Sequence, residues 1–271
     1  LKNIPITDRF LELDIALQAV TKAGNAILDI YGGKYETSTK HDDSPITEAD
    51  LKSNEIIKRI LSTTDHQILS EEDKDDQSRL LQDVIWIVDP LDGTSDFIDK
   101  TGEFTVMIAL VKNKEPILGV IGWPTEKTIF AAQKGTGAFR YSENEWRKIS
   151  VTQVSELSKC RVVGSRHHFS HKEKMFIEKL KIKNFTSIGS SLKVGKISSG
   201  EAEVYITTTN KMKEWDSAAS YCLISEAGGK MTDMLGNDLT YNNKIVNHQN
   251  GILVTNGLIH NKIVEEFKKL N

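Results

Sequence analysis

The stretch Trp86-Ile87-Val88-Asp89-Pro90-Leu91-Asp92-Gly93-Thr94 concentrates the reactive chemistry of this chain. Val84 to Val88 reads as a short, fully buried strand closed by a proline turn, with two aspartates just past its apolar part. Carboxylates set so close repel each other and resist burial unless a cation or water neutralises them. Two aspartates and a backbone carbonyl are hard oxygen donors, the set that Mg2+ takes while keeping waters for a phosphate substrate. Gly93 lets the backbone approach a ligand closely, and the amides that open a short helix from Thr94 to Ile98 form an anion site. A cation site and an anion site therefore adjoin. Asp, Pro and Gly are also common turn residues, so this motif alone reads equally well as a solvated acidic turn.

Other acids sit at comparable places. Ile68-Leu69 runs into Ser70-Glu71-Glu72, a second apolar stretch that delivers acid, while Asp73 to Asp76 reads as a solvated acidic loop. Thr47 stands three residues before Asp50 at a helix start, a near capping box with Asp in place of Glu. Glu214-Trp215-Asp216 precedes the small residues Ser217-Ala218-Ala219-Ser220, which puts Asp216 at a helix N-terminus, an ordinary capping position. Each acid has a plain structural explanation of its own. Together they share strand ends and helix starts, where side chains from separate segments converge.

The elements that must position them follow from periodicity. Leu13, Leu17, Val20, Gly24, Ile27 and Tyr31 mark a long amphipathic helix from Asp8 to Tyr31, ended by Gly32-Gly33. After a polar loop from Lys40 to Pro45, a second helix is expected from about Glu48 to Ser62. Phe104 to Val111, Ile117 to Trp123, Thr128 to Gln133 and Ala138 to Tyr141 form a meander, hence an antiparallel sheet. Beyond a joint at Val151 to Lys159, short strands alternate with helices near 171–181, 191–199, 217–227 and 258–270. That alternation predicts an α/β half with a partly parallel sheet. Two units are expected, 1–155 carrying most of the acids and the phosphate loop, and 156–271 carrying Asp216 and the specificity residues.

Composition narrows the field. With 35 basic and 38 acidic side chains the net charge is -3, which excludes a general nucleic-acid surface. The longest apolar runs are strand-sized, far short of the roughly 20 residues of a membrane span. Cys160 and Cys222 lack metal-site spacing and read as packed thiols of a reducing compartment, and with no signal-peptide pattern a cytoplasmic setting is expected. Gly135-Thr136-Gly137 sits in a hairpin turn without a third glycine or a following helix, so a dinucleotide fingerprint fails. His167, His168 and His171 read as loop polarity rather than a zinc site.

The combination Thr47-Glu48-Ala49-Asp50, Ser70-Glu71-Glu72, Asp89-Pro90-Leu91-Asp92-Gly93-Thr94, Trp215-Asp216 and Glu226-Ala227-Gly228-Gly229 resembles, in order and spacing, the inositol monophosphatase-like superfamily of magnesium-dependent, lithium-sensitive phosphatases. The resemblance implies a layered αβαβα sandwich, with its active site between the halves. It implies that Glu71, Asp89, the Leu91 carbonyl, Asp92 and Asp216 bind two Mg2+ ions, with Asp50 helping a third. Thr94 would relay a proton from the attacking water toward Glu71 or Asp50, and the Gly93, Thr94 and Ser95 amides would hold the phosphate. The cysteines have no part in it.

Gly164-Ser165-Arg166-His167-His168 and Gly189-Ser190-Ser191-Leu192-Lys193 are similar to the bisphosphate nucleotidase branch, which removes the 3'-phosphate of adenosine 3',5'-bisphosphate. By that similarity Ser190 and Lys193 hold the nucleotide, and Ser165 and His168 line its pocket. An exposed lysine is the plain alternative for Lys193. The branch commonly carries an arginine after the Val204-Tyr205-Ile206 strand, where this chain has Thr207-Thr208-Thr209, with Lys211 or Lys213 as candidate replacements. Inositol phosphatases commonly place a sugar-binding glutamate before the Trp-Asp pair, and Glu214 is too near Asp216 to match it. An inositol or other sugar phosphatase, of the fructose 1,6-bisphosphatase kind, stays open as an alternative, as does a non-catalytic metal-dependent regulator. The expected partner is a small phosphorylated substrate, and a homodimer stays open.

Overall fold

Leu13, Ala16, Leu17, Val20, Ala23 and Ile27 bury one stripe of the first helix, α1 (Leu11–Tyr31). It begins later than its periodicity predicts, because Phe10 is extended and offers no capping side chain. It ends at Tyr31, before Gly32-Gly33, as expected, with Gly32 in a right-handed conformation. The computed structural model describes residues 3–40 and 45–270, so most of the polar loop, residues 41–44, lies outside the described residues. β1 (Thr37–Thr39) and β2 (Pro45–Thr47) pair antiparallel and lead into α2 (Glu48–Leu61). Thr47 and Asp50 complete the capping box that starts α2.

A seven-stranded sheet follows in simple order. It comprises β3 (Gln67–Ser70), β4 (Val84–Asp92), β5 (Thr105–Lys112), β6 (Glu115–Trp123), β7 (Thr128–Gln133), β8 (Gly137–Ser142) and β9 (Glu145–Ile149). Only β3 and β4 run parallel; the remainder is the expected antiparallel meander. The proline does not close β4, which continues through Pro90 to Asp92 before the short helix α3 (Thr94–Ile98). Gly135-Thr136-Gly137 falls in the β7–β8 hairpin turn, as expected.

The second sheet has the order β11-β10-β12-β14-β13. β10 (Arg161–Ser165), α4 (His171–Lys179), β11 (Asn184–Ile188), α5 (Leu192–Ser198), β12 (Val204–Thr207), α6 (Ala218–Glu226), β13 (Lys230–Thr232), β14 (Ile252–Thr255) and α7 (His260–Lys268) supply it and its flanking helices. β11, β10 and β12 are parallel, and β14 and β13 are antiparallel to their neighbours, so the sheet is mixed.

Stacking these elements gives five layers, the expected αβαβα sandwich. α1 and α2 pack on the outer face of the first sheet, burying Trp86, Val88, Val106 and Ile108. Its inner face, with Ile85, Ile87, Met107 and Ala109, shares one core with Leu223 of α6 and Val254 of the second sheet. α4 and α7 cover the far face of that second sheet. The middle layer, α5 and α6, thus belongs to the C-terminal half but completes the N-terminal core. Cys160 and Cys222 are buried free thiols, as expected.

The approach of α6 to the first sheet depends on a missing side chain. A Cβ on Gly119 of β6 would stand 2.3 Å from the Ala219 carbonyl oxygen. Gly119→Ala is therefore expected to destabilise the fold by about 1–3 kcal/mol through overpacking, lowering the urea midpoint. An unchanged midpoint would mean that α6 can slide at no cost.

Candidate active site

The parity of β4 decides where its acids point. Ile85 and Ile87 face the inner layer, so Asp89 does too. In a regular strand Asp92 would then face the opposite side. The register shifts instead: Asp89 pairs with Met107 and Asp92 with Thr105, which leaves one extra residue on β4. Met107 and Thr105 share a face, so the bulge around Pro90-Leu91 returns Asp92 to the side of Asp89. Ser53 of α2 caps the bulge by donating to the Pro90 carbonyl at 2.7 Å, and the Leu91 amide donates to Asp89 Oδ1 at 3.1 Å.

Two further segments arrive at this point. Glu71 follows the end of β3, with its amide bonded to Val88, and Asp216 comes from the turn that precedes α6. The cap of α6 is Ser217 rather than Asp216, whose carboxylate accepts instead from the Lys213 amide at 2.6 Å. Glu71, Asp89 and Asp216 each bring one carboxylate oxygen within 4.8 Å of the others. Among the described residues no other His, Cys, Asp or Glu group of three is so arranged, and the histidines of the 167–171 loop form none. Desolvation and mutual repulsion push Asp89 and Asp216 well above the usual carboxylate range. Asp92 is raised by desolvation, with the Lys193 charge and the Ser191 amide opposing it. Oxygen-only, anionic and crowded, this donor set fits hard divalent cations of the Mg2+ type. Glu71, Asp89, Asp216 and the adjoining Asp92 are the residues that would hold them.

The sequence did not point to Lys40. Its Nζ lies 2.9 Å from Glu71 and 2.7 Å from Glu72, and desolvation still pushes Glu72 up to about 7. Nothing in the spacing marks this lysine, because the loop that brings it across has no periodicity. The acidic loop beyond is also better partnered than expected: Asp73 meets Lys58 at 2.7 Å, and Asp75 meets Arg79 at 2.7 Å.

On the anion side, Gly93 adopts φ +94, which a side chain would resist, and a Cβ there would stand 3.1 Å from Ser190. Thr94 Oγ1 donates to Asp50 Oδ1 at 3.0 Å, while Asp50 Oδ2 accepts from the Thr47 amide and hydroxyl at 2.8 and 2.6 Å. Asp50 is thus both a helix cap and the hydrogen-bond partner of Thr94. Asp92 accepts from the Ser191 amide and from Thr105 Oγ1, tying β4 to the Gly189-Ser190-Ser191 turn.

A cavity of about 420 Å3 joins these groups. Leu91, Asp92, Gly93, Thr94 and Ser95 line it together with Ser165, His168, Ser190, Lys193, Thr209 and Lys211. Lys193 is buried rather than exposed; its Nζ bonds the Ser190 carbonyl and lies 5.3 Å from the Tyr205 ring centre. Desolvation lowers its pKa against the pull of Asp92 and Asp96. The Thr207-Thr208-Thr209 wall is fixed by Glu173, 1 % exposed, whose carboxylate accepts from the Thr208 amide at 2.7 Å and from Ser170 of the α4 cap. Lys211 stays on the cavity wall, whereas Lys213 extends its Nζ over the Trp215 ring at 5.2 Å. Glu214 turns away from the cavity and is 1 % exposed.

The sign of the acid crowding can be tested. Asp89 and Asp216 hold protons more tightly when folded, so folding takes up protons. The metal-free protein should therefore lose stability as pH rises from about 4 through the raised folded values. Asp89→Asn removes one repelling charge. In EDTA at pH 8 the variant should be more stable than wild type, because the cost of burying that charge beside its neighbours is gone. It should also gain less from added Mg2+. Paired melting curves with and without the ion read both effects, and a variant less stable than wild type in EDTA would contradict the crowding.

The chain's likeness to known proteins agrees with this geometry. The inositol monophosphatase family model matches residues 8–271. The 3'(2'),5'-bisphosphate nucleotidase CysQ of Escherichia coli (strain K12) is 36 % identical over 234 residues, covering 84 % of this chain and 93 % of that protein. The crystal structure of CysQ from Bacteroides thetaiotaomicron, a bacterial member of the inositol monophosphatase family, superposes with a TM-score of 0.77 at 33 % identity. It covers 90 % of this chain and 96 % of its own. Extragenic suppressor protein suhB from Bartonella henselae reaches a TM-score of 0.82 at 26 % identity, covering 96 % and 99 %. The chain belongs to the inositol monophosphatase family and is a metal-dependent phosphatase.

Proposed function

We propose that the chain is a 3'(2'),5'-bisphosphate nucleotidase, hydrolysing adenosine 3',5'-bisphosphate to AMP and phosphate with two to three Mg2+ ions. The observation that carries this reading is Lys193, a buried cation on the wall of the cavity that the acids also line. A desolvated ammonium is costly without an anion, and a bisphosphate brings a second one. The names of the curated relatives support the same substrate. Against an inositol phosphatase, the only acid near the Trp-Asp pair that could serve a sugar, Glu214, is buried elsewhere. Against a non-catalytic regulator, the acids and Thr94 are all present around one cavity.

Held by Glu71, Asp89, Asp92 and Asp216, divalent ions would supply the charge that ionises a water and offsets charge on the leaving oxygen. The protein's own groups supply the rest. With its proton donated to Asp50, Thr94 Oγ1 keeps lone pairs free to accept a proton from the attacking water. Glu71, also on the cavity wall, is the second acceptor. The Gly93, Thr94 and Ser95 amides open α3, where they lack intrahelical acceptors, and would hold the transferring phosphate. Ser190 and Lys193 would hold the retained phosphate, with Ser165 and His168 against the nucleoside. The two buried free thiols are consistent with a cytoplasmic setting.

A contact to the retained phosphate binds ground and transition states alike. Lys193→Ala should raise KM for adenosine 3',5'-bisphosphate roughly ten- to a hundredfold with a smaller change in kcat. For adenosine 3'-monophosphate or inositol 1-phosphate it should change little. Equal losses on mono- and bisphosphates would remove Lys193 from specificity and favour the inositol phosphatase.

A further inference from the structure

Glu71 and Asp216 come from opposite halves of the chain, yet their carboxylates stand within the same 4.8 Å group. Like charges at that range push apart, so the segments that carry them need a restraint. Arg79, 2 % exposed, is the most deeply buried cation among the described residues. Its Nη2 bonds Asp75 at 2.7 Å, closing the loop that begins at Glu71. Its Nη1 donates to Asn242 Oδ1 at 2.7 Å, and Nη2 also donates to the Asn243 carbonyl at 3.0 Å. Asn242 and Asn243 then donate their backbone N–H groups to the Glu214 carboxylate at 2.7 and 2.9 Å. Glu214 opens the turn that ends in Asp216. The Asn242 carboxamide returns to the Arg79 and Gln82 carbonyls, both at 3.2 Å, so the link is held from both sides.

The geometry points to Arg79 as a positioning residue for the metal centre: through Asn242 and Glu214 it ties the Glu71 loop to the Asp216 turn across the two halves. Neither Arg79 nor Asn242 lines the cavity, so neither touches substrate. The planar guanidinium reaches three acceptors at once, which a lysine ammonium on a flexible stem cannot reproduce. Groups that orient metal ligands typically change affinity ten- to a hundredfold when lost. The inference rests on Glu71 and Asp216 being metal ligands.

Two variants test it. Arg79→Lys keeps the charge and loses the fork. Asn242→Gly keeps the φ of +58 and the N–H to Glu214, leaves Arg79 paired with Asp75, and removes only the carboxamide. Mg2+ binding is measured by calorimetry without substrate, so the result is independent of which phosphate ester is preferred. Both variants should bind Mg2+ roughly tenfold more weakly or worse, with kcat recovered at saturating Mg2+. Arg161→Lys, which disturbs the ion pair of an exposed arginine with the buried Glu203 away from the cavity, should lower the melting temperature and leave Mg2+ affinity unchanged. Wild-type affinity in the two variants, with melting lowered as in the control, would make Arg79 a purely structural residue and overturn the proposal. Should Arg79→Lys fail to fold, Asn242→Gly alone decides. A wild-type protein that binds no Mg2+ would remove the metal reading of Glu71 and Asp216, and this inference with it.

Discussion

Mutual repulsion among carboxylates is the constraint to which the rest of this structure answers. Glu71, Asp89 and Asp216 would separate in a pliable chain, because each is more stable in water than beside the others. Rigid elements hold them together instead. Asp89 lies on a strand paired on both edges, Glu71 follows an adjoining strand, and Asp216 precedes a helix wedged against the first sheet. A site that stores unfavourable electrostatics needs stability from elsewhere, and here the continuous core on either side of the middle layer supplies it.

suhB from Bartonella henselae superposes better than the CysQ structure while sharing less sequence, so backbone similarity does not track sequence similarity among these neighbours. The groups that would discriminate substrates sit on the Ser165–His168 loop, the Ser190–Lys193 turn and the threonines after β12. All three leave the second sheet on the side facing the acids. Glu173 and the Asp92–Ser191 bond brace two of them, so these connections between elements are held by side chains from elsewhere in the fold.

What could be read from the sequence was mostly local. Acids at the ends of apolar runs, the Thr47–Asp50 cap and the meander from Phe104 are short-range patterns, and they gave the first sheet and the candidate acids, while the layered sandwich came from the family resemblance. The edge strand β9 escaped because Glu145, Arg147 and Lys148 mask its alternation, leaving Trp146 as its buried residue. β13, at Lys230–Thr232, is too short to show a period. Lys40, Thr105 and Glu173 were not legible for another reason: each acts across a long stretch of chain, and only the tertiary fold says whom it meets. Lys193 shows the limit from the other side, since nothing in the spacing of a lysine at the start of a helix says that it will be buried.

The bulge in β4 makes the interval between Asp89 and Asp92 a counted length. Side chains on a strand alternate, so the number of residues between the two aspartates carries information that their identity does not. Replacing Pro90 or Leu91 by another residue leaves that count intact. Deleting either would leave an even interval, which regular alternation keeps on one face, so Asp92 would stay on the side of Asp89 while the bulge and its bonds from Ser53 and to Asp89 were lost. The odd interval is what makes the bulge necessary: the same letters in a regular strand would put Asp92 on the side of α1 and α2.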